Sequence, residues 1–284
     1  MTKKPIGAIR SLVDERDYPI CMAYEDKPME IPDDFTTSFQ PPYAKQISGN
    51  CVAQSIANIM EVMYYHMVGR HEDFSVGFVY GNRDKYEHDG EGMTGRMACN
   101  HLVKDGNIKS EIFDNVSEAP SIIKMVNKFK EDFPNWKELA YVPPRYVRTK
   151  NADEVKKFIM RYDIPVMAVV NTKHFYWSGG LHAMALYGWK GDTAIMQNSW
   201  GEKKKPIVEV AFDDIEEFWL IVPFEIASFT DLSTEHWAFE SIVKCVDEKI
   251  LLGYPDNTFA PDKGLTRAEL AVLIYRMMKG ENKI

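Results

Sequence analysis

Basic clusters, long apolar runs and cysteines are all scarce in this chain, and each scarcity removes a class of function. No run of Lys and Arg exceeds Lys203-Lys204-Lys205, and 34 basic against 42 acidic residues leave a formal charge of −8. A polyanion such as nucleic acid is therefore not an expected partner. No window approaches the roughly 18 consecutive apolar residues that a membrane-crossing helix needs, so no membrane partner is expected either. The chain begins Met1-Thr2-Lys3-Lys4-Pro5, a positive start, but Asp14, Glu15, Arg16 and Asp17 arrive before any apolar stretch of an export signal. Classical export is not expected of the chain as given. Four cysteines in 284 residues cannot make a disulfide scaffold. Cys99 and Cys245 fall in helix-periodic stretches and read as buried thiols acting as small hydrophobes. The cysteines stand singly, and no Cys-x-x-Cys or His-x-x-x-His spacing occurs, so no metal is expected.

What is present describes a folded protein. Hydrophobic residues make up 45%, aromatic 12% and charged 27%, outside the disordered range. The length suffices for one large domain, or for a medium one plus a small one. Residues 1 to about 44 lack periodicity and contain Pro5, Pro19, Pro28, Pro32, Pro41 and Pro42, which reads as an extended arm on a folded body. From Val52 onward, Ile56, Ile59, Met60, Met63 and Met67 recur at helical spacing and predict a helix with one inward face. Further helices are expected from Gly95 to about Lys104, within residues 119–140, and from Asp153 to Arg161. The period then changes. Segments 166–170, 182–189, 193–197, 206–212 and 218–222 are strand-like, with Gly and Asp turns between them. Helices followed by antiparallel strands make an α+β arrangement.

Cys51 stands at the start of the first of these helices, where unpaired N–H groups and the helix dipole favour a thiolate. His182 can accept a proton. Asn198, sixteen residues on (198 − 182 = 16), can hold that imidazole in one tautomer. A cleft between the helical and strand-rich halves would bring the three together. A lone cysteine at a helix start is more often structural, but its company here points to catalysis. His174 is the competing base, while His66, His71, His88 and His101 read as surface residues. Gly179-Gly180 has no strand–loop–helix context for a phosphate and reads as backbone room beside the cleft.

The composition shifts again from Phe229. Phe229-Thr230-Asp231, His236-Trp237-Ala238, the turn from Gly253 to Pro261, and Leu265-Thr266-Arg267-Ala268-Glu269 read as helix, tight turn, helix. Thr266 and Glu269 form a capping box, and Trp237 is expected in the core of this unit. A unit this small calls for docking or oligomerisation.

Cys51, His182 and the tetrapeptide Asn198-Ser199-Trp200-Gly201, separated by 182 − 51 = 131 and 198 − 51 = 147 residues, resemble the papain-like cysteine peptidases, in particular the compact bacterial, xylellain-like members. The resemblance spans residues 30–226. It implies a two-lobed fold, helical lobe plus antiparallel β lobe, that hydrolyses peptide or protein substrates through a thioester without a cofactor. It also implies Cys51 as nucleophile, His182 as base and then acid, Asn198 as orienter of His182, and Trp200 as a screen over their contact. Gln46, with the Cys51 backbone N–H, takes the oxyanion role by the same resemblance. It stands five residues before Cys51 where the family has six, Val52 replaces the family's aromatic residue, and Ser48 stands near its disulfide cysteine. The segment from Arg10 to Pro19 resembles the short N-terminal stretch of the compact enzymes, and by that resemblance residues 1–29 are an arm expected across or near the cleft. Residues 228–280 resemble a single S-layer homology repeat, with Arg267 and Gly253 at the polymer-contacting positions. That implies a secondary cell-wall polymer as partner, with either three chains assembling a homo-oligomeric module or the repeat serving only as an interaction element. The repeat points to the cell surface, whereas the N-terminus points away from export. The rival readings are a non-peptidase acyl-transfer enzyme on wall peptides and an inactive papain-like scaffold that binds the wall.

Overall fold

Every residue of the first helix from Cys51 to Tyr64 is buried, so α1 (Cys51–Val68) is enclosed on all sides and not on one face as its periodicity predicts. Val52, Ala53, Ala57 and Val62 fill the faces between the predicted stripe. Polar residues on an enclosed helix must find partners. Asn58 Nδ2 donates to Gln197 Oε1 at 2.8 Å, and the Ser55 hydroxyl donates to the Cys51 carbonyl at 3.0 Å.

The computed structural model describes residues 7–11, 29–83, 90–174, 180–200, 206–223, 229, 231–233, 236–247, 250–252, 254 and 258–280. Cys21, His88, Gly179, Gly201, Gly253 and the side chain of His174 lie outside what is described. Residues 1–63 with 71–223 form one compact unit, and residues 64–70 with 224–284 form a second.

Around α1 the first unit places α2 (Val76–Gly81), α3 (Gly95–Asp105), α4 (Ser121–Asp132) and α5 (Ala152–Tyr162). Their starts follow local chemistry: the Thr94 hydroxyl caps α3 by accepting the Met97 N–H at 3.0 Å, and Asn151 caps α5. Gly106, at φ 76°, ends α3 in a conformation that favours glycine. The strands are β1 (Ala8–Ile9), β2 (Asp34–Thr36), β3 (Met93–Thr94), β4 (Arg145–Thr149), β5 (Val166–Asn171), β6 (Leu181–Lys190), β7 (Thr193–Gln197), β8 (Ile207–Ala211) and β9 (Ile215–Val222). They form one sheet in the order β3-β1-β6-β5-β9-β4, with β2 and β7 also on β6 and β8 on β7. Every pairing is antiparallel except β1 with β3. Val155, Phe158 and Ile159 of α5 pack into one apolar core with Val166, Ala168, Leu186 and Phe218 of the strands. The α+β expectation holds.

In the second unit α6 (Phe239–Asp247) and α7 (Arg267–Gly280) flank a turn. Asp231 accepts the N–H groups of Phe259 and Ala260 at 2.8 and 2.7 Å. The predicted capping box is formed: Glu269 accepts the Thr266 N–H at 2.8 Å, and Glu269 N–H donates to Thr266 Oγ1 at 3.2 Å. Two expectations fail here. Trp237 is 90% exposed, not core, and Cys245 is half-buried, while Cys99 is buried as expected. Neither helix is long and apolar enough to cross a membrane.

Candidate active site

Cys51 opens α1, and its sulfur accepts the N–H of Ala183, the residue after His182 on β6, at 3.4 Å. The helix start and the sheet therefore meet at these two side chains' own positions. His182 pairs across the sheet with Val170, which fixes its backbone in a six-residue stretch of ladder. Its Nε2 lies 3.1 Å from Asn198 Oδ1. That oxygen also accepts the Trp200 backbone N–H at 3.2 Å, an obligatory donor that identifies it as the amide oxygen. An amide oxygen accepts only, and Nε2 therefore carries the ring proton. Nδ1 is then the basic nitrogen of the neutral imidazole. The Trp200 ring stands 4.2 Å from the His182 ring, centroid to centroid, tilted by 38°. It covers the ring that Asn198 holds. The three residues singled out from the sequence are thus brought together, with Trp200 beside them.

Gln46 is held otherwise than an oxyanion donor alone would be. Its Nε2 donates to the Ser48 carbonyl at 2.7 Å, its Oε1 accepts the Ser199 hydroxyl at 2.6 Å, and its N–H donates to the Ser199 carbonyl at 2.8 Å. These bonds hold the amide on its own loop and against Ser199. One nitrogen hydrogen remains beyond the bond to Ser48. Glu91 is a residue that motif reading passed over. It accepts the Gly49 N–H at 2.9 Å, the Tyr80 hydroxyl at 2.9 Å and the Ala119 N–H at 2.6 Å, and so pins the loop that leads into Cys51. A lone Glu carries no spacing signal that could have revealed this.

Burial dominates the electrostatics. Cys51, His182 and Asn198 are at most 1% exposed. Burial pushes the Cys51 thiol up to about 12, against the pull of the Ala183 N–H, and pushes His182 down to about 3, against its bond to Asn198. The helix N-terminus does not produce the thiolate expected from sequence, because desolvation of the sulfur outweighs the nearby amides. Both groups are neutral in this arrangement.

The burial has a visible source. A Cβ at residue 7 would lie 2.5 Å from Cys51 Sγ, so the N-terminal segment runs directly over the sulfur, and only glycine fits there. From Gly7 to Ser11 the segment is fastened on both sides. Met93 N–H donates to the Gly7 carbonyl at 3.0 Å, and Ala8 pairs with both Met93 and Leu181. Arg10 pairs with Glu216 at 2.7 Å, and Ser11 is held by Glu217 and Arg148.

One further cluster is of the metal-ligating kind. Glu61, His71 and Asp73 bring one potential ligand atom each within 4.8 Å of one another. Phe74 N–H occupies the other Glu61 oxygen at 3.3 Å, and burial pushes the Glu61 carboxyl up to about 8. His71 is half-buried within this group, so it is not the plain surface residue that the sequence suggests.

Xylellain, a cysteine protease from Xylella fastidiosa, superposes with a TM-score of 0.60 at 17% identity, covering 78% of this chain and 98% of that one. Procathepsin B from Trypanosoma congolense gives 0.57 at 13% identity, over 76% and 85% of the two chains. The fold is that of the papain-like cysteine proteases. At these identities the likeness concerns fold. Residues 228–271 match the S-layer homology domain. Over 57 residues the chain is 42% identical to a cellulosome-anchoring protein of Acetivibrio thermocellus, 20% of this chain and 13% of that protein. An outer membrane protein SlpA of Thermus thermophilus is 40% identical over 60 residues, 21% and 6% of the respective chains. The chain thus spans only 13% and 6% of the lengths of these curated relatives, and joins a papain-like fold to an S-layer homology domain.

Proposed function

We propose that the first unit is a cysteine peptidase in which Cys51, His182 and Asn198 carry out acyl transfer. The observation that carries this reading is the approach of Cys51 Sγ to the Ala183 N–H at 3.4 Å, while His182 Nε2 is turned toward Asn198 at 3.1 Å. In the reaction His182 Nδ1 takes the thiol proton, and the sulfur attacks the peptide carbonyl carbon. The proton then passes to the leaving amine, which departs and leaves a thioester. Water, deprotonated through His182, attacks the thioester and restores the thiol. The developing oxyanion is met by the Cys51 backbone N–H and the remaining amide hydrogen of Gln46. Asn198 keeps the imidazole in the productive tautomer, and Trp200 keeps water from that bond.

Residues 1–29 form a gate in this reading. Gly7 lies against the nucleophile, so substrate enters only after the arm leaves, and the sulfur regains water and lowers its pKa at the same moment. The S-layer homology repeat attaches the enzyme to wall polymer at the cell surface, with the exposed Arg267 as a polymer contact; Gly253, the second position the resemblance implies, lies outside the described residues. Leu270 and Ile274 on one side of α7, and Val272 and Tyr275 on another, are all exposed, apolar surface that favours assembly with further repeats or copies. Incubating the full chain with a fluorogenic peptide library tests the catalytic reading. Cleavage that vanishes in Cys51→Ala supports it, and cleavage that survives the substitution refutes it.

A further inference from the structure

We infer that Glu216, beside the Glu217–Arg148 pair, selects substrates with a basic side chain three residues from the residue that faces Cys51 (10 − 7 = 3). The inference rests on the peptidase reading and names its substrate class. Residues 7–11 trace the groove as an occupied path. At one end Gly7 abuts the sulfur, and next to it Ala8 bridges Met93 on β3 and Leu181 on β6. At the other end the backbone of Ser11 is gripped from both directions. Glu217 Oε1 accepts its N–H at 2.9 Å, and Arg148 Nη2 donates to its carbonyl at 3.0 Å.

That grip is a built feature. Glu217 is 1% exposed, its Oε2 accepts the Trp219 indole N–H at 2.9 Å, and Arg148 stands 3.3 Å from Oε1. A buried carboxylate is tolerated when it is paired and hydrogen-bonded in this way. The pair presents one acceptor and one donor to a peptide unit and reads backbone, so an extended peptide of any sequence fits it. Selection by side chain falls to the neighbour. Glu216 is the extra residue of a β-bulge, between Ile215 opposite Val170 and Glu217 opposite Val169, and it keeps 27% of its side chain exposed while Glu217 is buried. Arg148 pairs with Glu217 and the Arg96 guanidinium lies over the Trp219 ring at 5.9 Å, which leaves Glu216 as the carboxylate that meets Arg10. Among the described residues its cation is Arg10, at 2.7 Å. When the arm withdraws, Arg10 goes with it. A substrate residue entering the same register meets an acidic position that only Arg or Lys satisfies.

The test uses the full chain and matched peptide pairs that differ only in Arg or Glu at each of the four positions on either side of the cleaved bond. The ratio of kcat/KM within a pair cancels arm occupancy, since the arm competes equally with both members. Wild type is expected to favour Arg at one position by about tenfold, the scale of a partly exposed ion pair exchanged for like charges. E216Q should bring that ratio near unity, E216R should invert it, and E216D should keep it. Glu216 lies at the surface, so these variants leave the core untouched. No Arg preference in wild type, or one unchanged by E216Q, overturns this inference and leaves the peptidase reading standing. No cleavage of any peptide, with Cys51 also unlabelled by an epoxide inhibitor, overturns both.

Discussion

Gly7→Leu is the most informative single perturbation of the resting state. A Cβ at this position would stand 2.5 Å from Cys51 Sγ and 3.3 Å from the Gly49 carbonyl oxygen. Ordinary contacts between heavy atoms lie near 3.5–4.0 Å, so the arm must retreat by about 1 Å, and further for a full Leu side chain. Overpacking of this kind costs about 1–3 kcal/mol. Each ~1.4 kcal/mol changes an equilibrium tenfold, so the arm-released fraction should rise by about 10- to 100-fold. The ties of Arg10 to Glu216 and of Ser11 to Glu217, Arg148 and Arg96 keep both partners in the variant. The readout is the alkylation rate of Cys51 by iodoacetamide between pH 6 and 10, followed by mass spectrometry. With the arm seated and the thiol near 12, the reactive thiolate increases with each rise in pH across the whole range, and no plateau is reached. Released, the sulfur is hydrated and paired with His182, so Gly7→Leu should react faster at pH 7 and level off at lower pH. Equal rates and equal profiles for the two proteins, at unchanged melting temperature, would refute the idea that the arm controls the nucleophile.

Three further outcomes are expected. Asn198→Ala should lower kcat by about 10²-fold, the low end of what a positioned general base supplies, with KM little changed; an unaltered kcat would remove Asn198 from the site. Glu61→Gln should raise the melting temperature at pH 8, with the advantage shrinking toward pH 5. The reason is that burial lifts the folded carboxyl to about 8, so the folded state holds a proton that the unfolded chain loses, and stability falls as pH rises between the two values; an acid-side advantage instead would contradict the assignment. Arg267→Ala should reduce cosedimentation of the full chain with purified secondary wall polymer by about tenfold or more, as expected for lost charged hydrogen bonds, and undiminished pelleting would exclude Arg267 from polymer contact.

Strand by strand, periodicity located the sheet well: β7 spans the expected residues 193–197, β5 runs one residue past its expected end, and β6 extends one residue beyond expectation at each end. β4 escaped notice. Arg145 and Arg148 frame its apolar pair Tyr146 and Val147, and so short an alternation resembles loop. β1 and β3 are two residues each; their pairing depends on where the arm crosses the groove, which no local pattern encodes. The candidate site residues were legible because residue type, order and spacing all constrain them at once. Their protonation was not, since the buried state of Cys51 comes from Gly7, far away in sequence. Trp237 was misjudged for a related reason: size and hydrophobicity favour burial, but a small two-helix unit has too little interior for every large side chain.

Rapid mixing of the full chain with a peptide ester, quenched with acid and read by intact mass and peptide mapping, asks most directly whether the Cys51 sulfur carries the acyl group. The account predicts a transient adduct equal in mass to the acyl portion, on Cys51 alone, that decays as product appears and is missing in Cys51→Ala. Product formed at full rate with no adduct on Cys51, or with the adduct on another residue, would contradict it.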